Sequence, residues 1–196
     1  MKKIPTLFVR DPKTGLRYVT PEVHPDCQWV LDGAGIPTRK YDGTCVMFDG
    51  SVWWARREVK PGKATPPEFV QVEHDEVTGK TVGWEPIEQS AFAKYHAEAA
   101  VFGNSTGITG WPRGTYELVG PKGNGNPERT RTHALWAHDA ADALDDQKPR
   151  SYASIRHAVI AYHDVDGAEG IVYHHPDGRM AMIKRKDFPR DPEAVS

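Results

Sequence analysis

One lysine, Lys40, stands directly before Tyr41-Asp42-Gly43-Thr44. A lysine amine can attack phosphorus once it has lost its proton. Its reference pKa of about 10.4 means that it needs help to do so near neutral pH. Nearby cations and partial burial both favour the neutral amine. A nucleophilic Lys40 therefore requires basic residues that converge on it, groups that contact phosphate and a carboxylate for a metal ion. The C-terminal part of the chain supplies candidates. Glu169-Gly170-Ile171-Val172 opens one β-prone run and Lys184-Arg185-Lys186 closes the next. Residues two apart in a strand share a face, so Lys184 and Lys186 are expected to point the same way. There they repel unless an anion such as a nucleotide phosphate lies between them. The start of one hairpin strand adjoins the end of its partner, which brings Glu169 toward the same place.

The elements that must position these residues are short. Sixteen prolines and 18 glycines punctuate the chain, which favours many strands and loops over a helical bundle. TCVMF and SVWWARR flank Asp49-Gly50, a pair that predicts a two-residue hairpin turn just downstream of Lys40. A second hairpin is predicted for GIVYHH and RMAMIKRK, with its turn at Pro176-Asp177-Gly178. Gly114–Val119 and His133–His138 are further strand candidates. Helices are expected over Ile87–Phe102, with Phe92, Tyr95 and Ala99 on one side, and over Ser151–His163. Ser151 is the N-cap of the latter, and Ile155, Ala158, Val159 and Tyr162 form its apolar face. Lys60–Glu68 and Gly120–Arg131 are long Pro- and Gly-rich loops, a length that compact domains usually keep for function. Irregular interleaving of strands and helices favours an antiparallel α+β domain over a doubly wound sheet.

Five elements in order carry a family resemblance: Lys40-Tyr41-Asp42-Gly43-Thr44, Arg56, Glu117-Leu118-Val119-Gly120, Glu169-Gly170-Ile171-Val172 and Lys184-Arg185-Lys186. Together they resemble the motifs of covalent nucleotidyltransferases, the superfamily of DNA and RNA ligases and capping enzymes. KYDGTCV, WARREVKPGK and ELVGPKGNGNP are similar to a family of small ATP-dependent RNA ligases. The resemblance implies a single nucleotidyltransferase (ligase adenylation) domain over residues 1–196. It would have two antiparallel sheets flanked by helices and ATP in the cleft between them. It implies that Lys40 attacks the α-phosphate of ATP to give lysyl-AMP, and that AMP then passes to an RNA 5′-phosphate. A 3′-hydroxyl finally displaces AMP to join the RNA ends. Lys184 and Lys186 would contact the α-phosphate and neutralise transition-state charge. Asp42 and Gly43 would complete the nucleophile motif. Arg56 would contact ribose or phosphate and later the RNA end, and Glu117 the ribose hydroxyls. Glu169 would hold Mg²⁺, or Mn²⁺ in its place. Trp136 is the candidate for adenine stacking.

Each residue also has a plainer reading. Lys40 alone could be a solvated lysine, Glu117 and Glu169 surface carboxylates, and Lys184-Arg185-Lys186 a charged edge that blocks aggregation. The ordered set of motifs favours the chemical reading. Arg56 and Arg57 point to opposite faces, and the family pattern favours Arg56. His133, His138, His157, His174 and His175 lack zinc-ligand spacing and are taken as surface or packing residues, with RNA contact open to the last two. The formal net charge of −2 excludes a basic coat over the whole surface, so RNA contact is assigned locally to Arg56, Lys60, Lys122, Arg129 and Arg131, with Lys63 beside them. Only ten residues follow Lys186, too few for the OB domain of DNA ligases and capping enzymes. DNA-nick ligation and GTP-dependent capping are therefore the lesser readings, with a silent RNA-binding module as a third. Cys27 and Cys45 form no C-x-x-C pair, and MKKIPTLF lacks the apolar stretch of a signal, so a cytoplasmic monomer is expected.

Overall fold

The computed structural model describes residues 2–76, 78–105, 110–146 and 148–190. Its strands and helices are β1 (Phe8–Arg10), β2 (Val19–Val23), α1 (Gln28–Leu31), β3 (Ile36–Lys40), β4 (Thr44–Phe48), β5 (Trp53–Val59), β6 (Val70–Asp75), β7 (Lys80–Pro86), α2 (Ala93–Ser105), β8 (Gly114–Val119), β9 (Ala134–Ala137), α3 (Tyr152–Asp166), β10 (Gly170–His174) and β11 (Met180–Lys184). The architecture is α+β with antiparallel sheets. Three sheets are present among the described residues where two were expected: β1-β2, β11-β10-β3 and β6-β7-β5-β4-β8-β9. Among the described residues no helix is long and apolar enough to cross a membrane.

The chain divides into two compact units. One holds Ile4–Tyr41 and residues 142–190, the other Lys2, Lys3 and Asp42–Ala141. In the first, β10 is the central strand, paired with β11 on one side and β3 on the other. Its inward residues Ile171 and Tyr173 join Ile183, Leu7, Phe8 and Val30 in one core. Helix α3 covers that core with Ile155, Ala158 and Val159, the apolar face read from the sequence. Burying each such side chain contributes roughly 1.5–3 kcal/mol, and this burial rather than helix propensity holds α3 in place. Ser151 caps α3 as expected: its hydroxyl accepts the Ser154 amide at 3.2 Å, and Ser154 reciprocates to the Ser151 amide at 2.8 Å. Arg150, buried just before it, donates to the carbonyls of Val30, Ala34 and Gly35 and pairs with Asp146. One guanidinium thereby ties together three carbonyls at and after the end of α1.

In the second unit, Val46, Ala55, Tyr116, Leu118 and Leu135 line one face of the six-stranded sheet, against Ile87 and Ala99. The segment expected as one helix is two pieces, a 3-10 turn at Ile87–Gln89 and then α2. The Ser90 hydroxyl takes the Phe92 amide at 3.2 Å and restarts the helix there. The β4–β5 turn is also longer than the expected two residues, because Phe48 pairs with Trp53. Both Asp49 oxygens are engaged: Oδ1 accepts the amides of Ser51 (2.8 Å) and Val52 (2.9 Å), and Oδ2 the Trp54 indole N–H (2.8 Å). These bonds hold the Asp49 carboxyl below the usual range and stabilise a four-residue loop over a tight type I′ turn.

His96 on α2 is buried edge-on to Trp53, and its Nε2 has no hydrogen-bond partner. Burial pushes its pKa below the ordinary histidine range, against a weaker upward pull from Glu88. The unfolded chain, with a histidine pKa near 6.5, therefore binds this proton more readily than the folded one. The stability that neutral His96 contributes is present above about pH 6.5 and is lost as pH falls below it. Melting temperature should accordingly fall more steeply between pH 8 and pH 5.5 in the wild type than in His96→Gln. Parallel curves would rule this source of acid sensitivity out.

Candidate functional site

Lys40 ends β3 and Lys184 ends β11, and Gly170 of the central strand is paired with both. The two lysines thus emerge at one end of the sheet, on either side of Gly170. Glu169 immediately precedes that glycine and reaches both. Its Oε2 lies 2.6 Å from Lys40 Nζ and its Oε1 2.5 Å from Lys184 Nζ. The backbone locks the carboxylate there, since the Glu169 N–H donates to the Lys40 carbonyl at 3.1 Å and the Glu169 carbonyl accepts the Arg185 amide at 2.9 Å. Gly170 allows the approach of the strands: a Cβ at this position would run into the Ile183 carbonyl oxygen and lie 2.7 Å from Lys184 Cα.

The electrostatics follow from burial and shared charge. Burial pushes the Glu169 carboxyl up, but the charges of Lys40 and Lys184 and their hydrogen bonds outweigh it, and the net shift is downward. Burial pushes Lys184 down, and the Lys40 charge adds to this; Glu169 opposes both, and Lys186 contributes a smaller downward push. The two ammonium groups repel one another across the carboxylate they share.

Lys186 requires a correction. β11 stops at Lys184, and Arg185–Asp187 form a 3-10 turn. Buried Asp187 causes it, accepting the Lys184 amide at 2.8 Å and Arg10 at 2.8 Å. Lys184 and Lys186 therefore do not share a strand face. Lys186 is exposed and acts on Lys184 at a distance.

The second unit gathers another predicted group. Arg56 is paired with Trp84, and Glu117 with both Cys45 and Trp136. Cys45 is one step beyond the Val46–Ala55 pair, level with Arg56. Directly opposed residues in antiparallel strands share a face. Arg56, Cys45, Glu117 and Trp136 therefore form one row across the sheet, on the face away from the Val46–Tyr116 core. The Arg56 guanidinium lies 6.0 Å from the Trp84 ring centre, and Arg57 is exposed.

Asp42 and Gly43, between β3 and β4, are tied down by side chains. Glu128 Oε1 accepts the Asp42 amide at 2.9 Å and Glu117 Oε1 the Gly43 amide at 2.9 Å. Asn124 Nδ2 donates to Asp42 Oδ1 at 2.8 Å and to the Gly43 carbonyl at 3.1 Å. A Cβ on Gly43 would meet the Leu118 carbonyl, so the close approach expected of this glycine is realised against β8. The other Glu117 oxygen accepts from His138 Nε2 at 2.9 Å, and His138 Nδ1 lies 2.9 Å from the Thr115 hydroxyl. Since a carboxylate only accepts, a neutral His138 carries its proton on Nε2 and accepts from Thr115 through Nδ1.

Sequence reading missed Asn124, Glu128 and His138. His138 was taken as a surface or packing residue, yet it orients Glu117. The one available signal was that Asn124-Gly125-Asn126 tolerates left-handed backbone, which marks a shaped loop. Lys60, Lys63, Lys122, Arg129 and Arg131 are exposed.

For Mg²⁺, Glu169 offers a carboxylate of the right type. Among the described residues no group of three His, Cys, Asp or Glu could hold a metal ion. Both oxygens of that carboxylate are engaged by the Lys40 and Lys184 ammonium groups. No family model matches the chain, and no curated protein matches it in sequence.

Replacing Glu169 by Gln removes the charge that keeps Lys184 protonated. Lys184 should then be acylated faster at pH 8 than in the wild type, measured by peptide mapping with exposed Lys63 as internal standard. An unchanged ratio would mean that the carboxylate does not control this amine.

Proposed function

We propose that the chain is an ATP-dependent RNA ligase, an adenylation domain of the nucleotidyltransferase type with an ATP cleft, acting as a cytoplasmic monomer. The observation that carries the reading is the Lys40–Glu169–Lys184 cluster, in which a lysine of the expected motif shares one partly buried carboxylate with a second ammonium. In the first step Lys40 Nζ attacks the α-phosphorus of ATP. An N–P bond forms, the bond from that phosphorus to the bridging oxygen breaks, and pyrophosphate leaves. Glu169 Oε2 lies 2.6 Å from Lys40 Nζ, within reach of the proton that Lys40 must lose. Repulsion from Lys184 favours that loss, and the Lys184 ammonium is free to turn from Glu169 to the phosphate whose negative charge grows.

AMP then passes from Lys40 to the 5′-phosphate of an RNA. The RNA 3′-hydroxyl attacks that phosphate, forms the phosphodiester and releases AMP. Glu117, pre-set by His138 and the Gly43 amide, is a hydrogen-bond acceptor suited to ribose hydroxyls. Asp42, Gly43, Arg56 and Trp136 complete the proposed nucleotide contacts, and Lys186 adds positive charge beyond Lys184. Glu169 would hold Mg²⁺, which supplies charge neutralisation at the phosphates when bound. Arg56, Lys60, Lys122, Arg129 and Arg131 are the proposed RNA contacts.

Incubation with α-labelled ATP and Mg²⁺ should place label on the protein, with Lys40→Ala and Lys184→Ala unlabelled or reduced by orders of magnitude. Absence of label on the wild type, or equal label on Lys40→Ala, would defeat the proposal. GTP in place of ATP, and nicked DNA in place of nicked RNA, should be poor substrates; a reversed preference would move the chain to capping or DNA joining.

A further inference from the structure

The loop of residues 120–131 is held in an unusual backbone shape. Asn124, Asn126 and Arg129 all have positive φ (45°, 59° and 51°), with Gly125 at 81° between them. Side chains with a Cβ disfavour this region, and Asn tolerates it best among them. The loop closes on itself through its backbone, with the Gly123 N–H on the Gly120 carbonyl at 3.0 Å, and through Asn126, whose Oδ1 accepts the Thr130 amide at 3.0 Å and whose Nδ2 donates to the Thr130 carbonyl at 2.9 Å. Asn124 and Glu128 reach Asp42 and Gly43, while the loop's cations Lys122, Arg129 and Arg131 are exposed.

Asp42 and Gly43 belong to no strand, so their backbone groups need partners from elsewhere. Glu128 satisfies the Asp42 N–H, Glu117 the Gly43 N–H, and Asn124 both the Gly43 carbonyl and the Asp42 carboxylate. A strand ladder would fix such groups whatever the side chains; here three side chains do it, two of them from the loop. We propose that Asn124 and Glu128 are positioning residues for adenylyl transfer, holding the Asp42-Gly43 segment that follows Lys40 in the geometry that the reaction uses. This rests on the ligase reading above and assigns the loop a role in the first chemical step in addition to RNA contact.

Three substitutions separate positioning from folding. Asn124→Asp keeps the size and tolerates the left-handed backbone, but it loses both N–H donations and sets a second carboxylate against Asp42. Glu128→Gln keeps an acceptor oxygen for the Asp42 amide, whereas Glu128→Ala removes it. Adenylation of Lys40, followed by intact mass, should slow in Asn124→Asp and Glu128→Ala by tenfold or more, within the roughly hundredfold that small misplacements of reacting groups cost. The loss should fall on the rate at saturating ATP and leave the KM for ATP nearly unchanged. Glu128→Gln should recover most of the rate, and melting temperatures should stay close to that of the wild type. Amide exchange at Asp42 and Gly43, followed by NMR, should speed up in the two impaired variants. Wild-type adenylation rates in both variants, or unchanged exchange at these amides, would overturn the proposal. If the wild type itself takes no AMP, the ligase reading falls and this inference falls with it. If the wild type is adenylated and the variants match it, only the inference falls.

Discussion

The structure of the first unit depends on one carboxylate that two ammonium groups share. Glu169 is mostly withdrawn from water, and so are Lys40 and Lys184. Charges in that position cost several kcal/mol each unless their partners are close and well aligned. Contacts of 2.5 and 2.6 Å supply the partners, and the sheet supplies the alignment. Gly170 is the geometric condition for both. It is paired with Lys40 and Lys184 at once, and it lacks the Cβ that would push β11 away.

Much of this was legible in the sequence. The hairpin of β10 and β11 announced itself through two β-prone runs around Pro176-Asp177-Gly178, and hairpin geometry brought Glu169 toward Lys184. β8 was recovered at its observed limits, and α3 from its cap and apolar face. What could not be read was pairing at long range. β3 lies some 130 residues from β10 in the chain, and nothing local marks Ile36–Lys40 as its edge partner. Lys40 was accordingly read as the approach to the β4–β5 hairpin, when it ends a strand of a different sheet. β6 and β7 were missed because Val70–Asp75 and Lys80–Pro86 mix charged, polar and apolar residues without clean alternation.

The misreadings share a cause. At Lys186, at the Asp49 turn and before α2, a polar side chain took backbone amides and replaced the regular pattern. Asp187 ended β11 two residues before Lys186, Asp49 lengthened a turn and Ser90 split a helix. Ser and Asp compete in this way because a short side chain can bond its own neighbourhood. The competition is decided by which amides happen to be free, and that depends on tertiary pairing. The row of Arg56, Cys45, Glu117 and Trp136 escaped such effects. Its residues lie inside strands of one sheet, so period-two reading carries across them once the strand order is known.

The segment after Lys40 inverts the usual division of labour between backbone and side chain. Strands position residues through ladders that do not depend on side-chain identity, and their side chains are then free for chemistry. Asp42 and Gly43 have no ladder, so Glu117, Glu128 and Asn124 are used up in holding backbone. Glu117 bears both loads, with one oxygen on the Gly43 amide and the other on His138. An acid held on two sides loses little rotamer freedom when it meets a ligand, because that entropy was lost on folding. The same holding makes the segment dependent on particular side chains at residues 117, 124 and 128. A sheet edge in the same place would tolerate almost any residue there, and it could not orient a carboxylate and two amides at once.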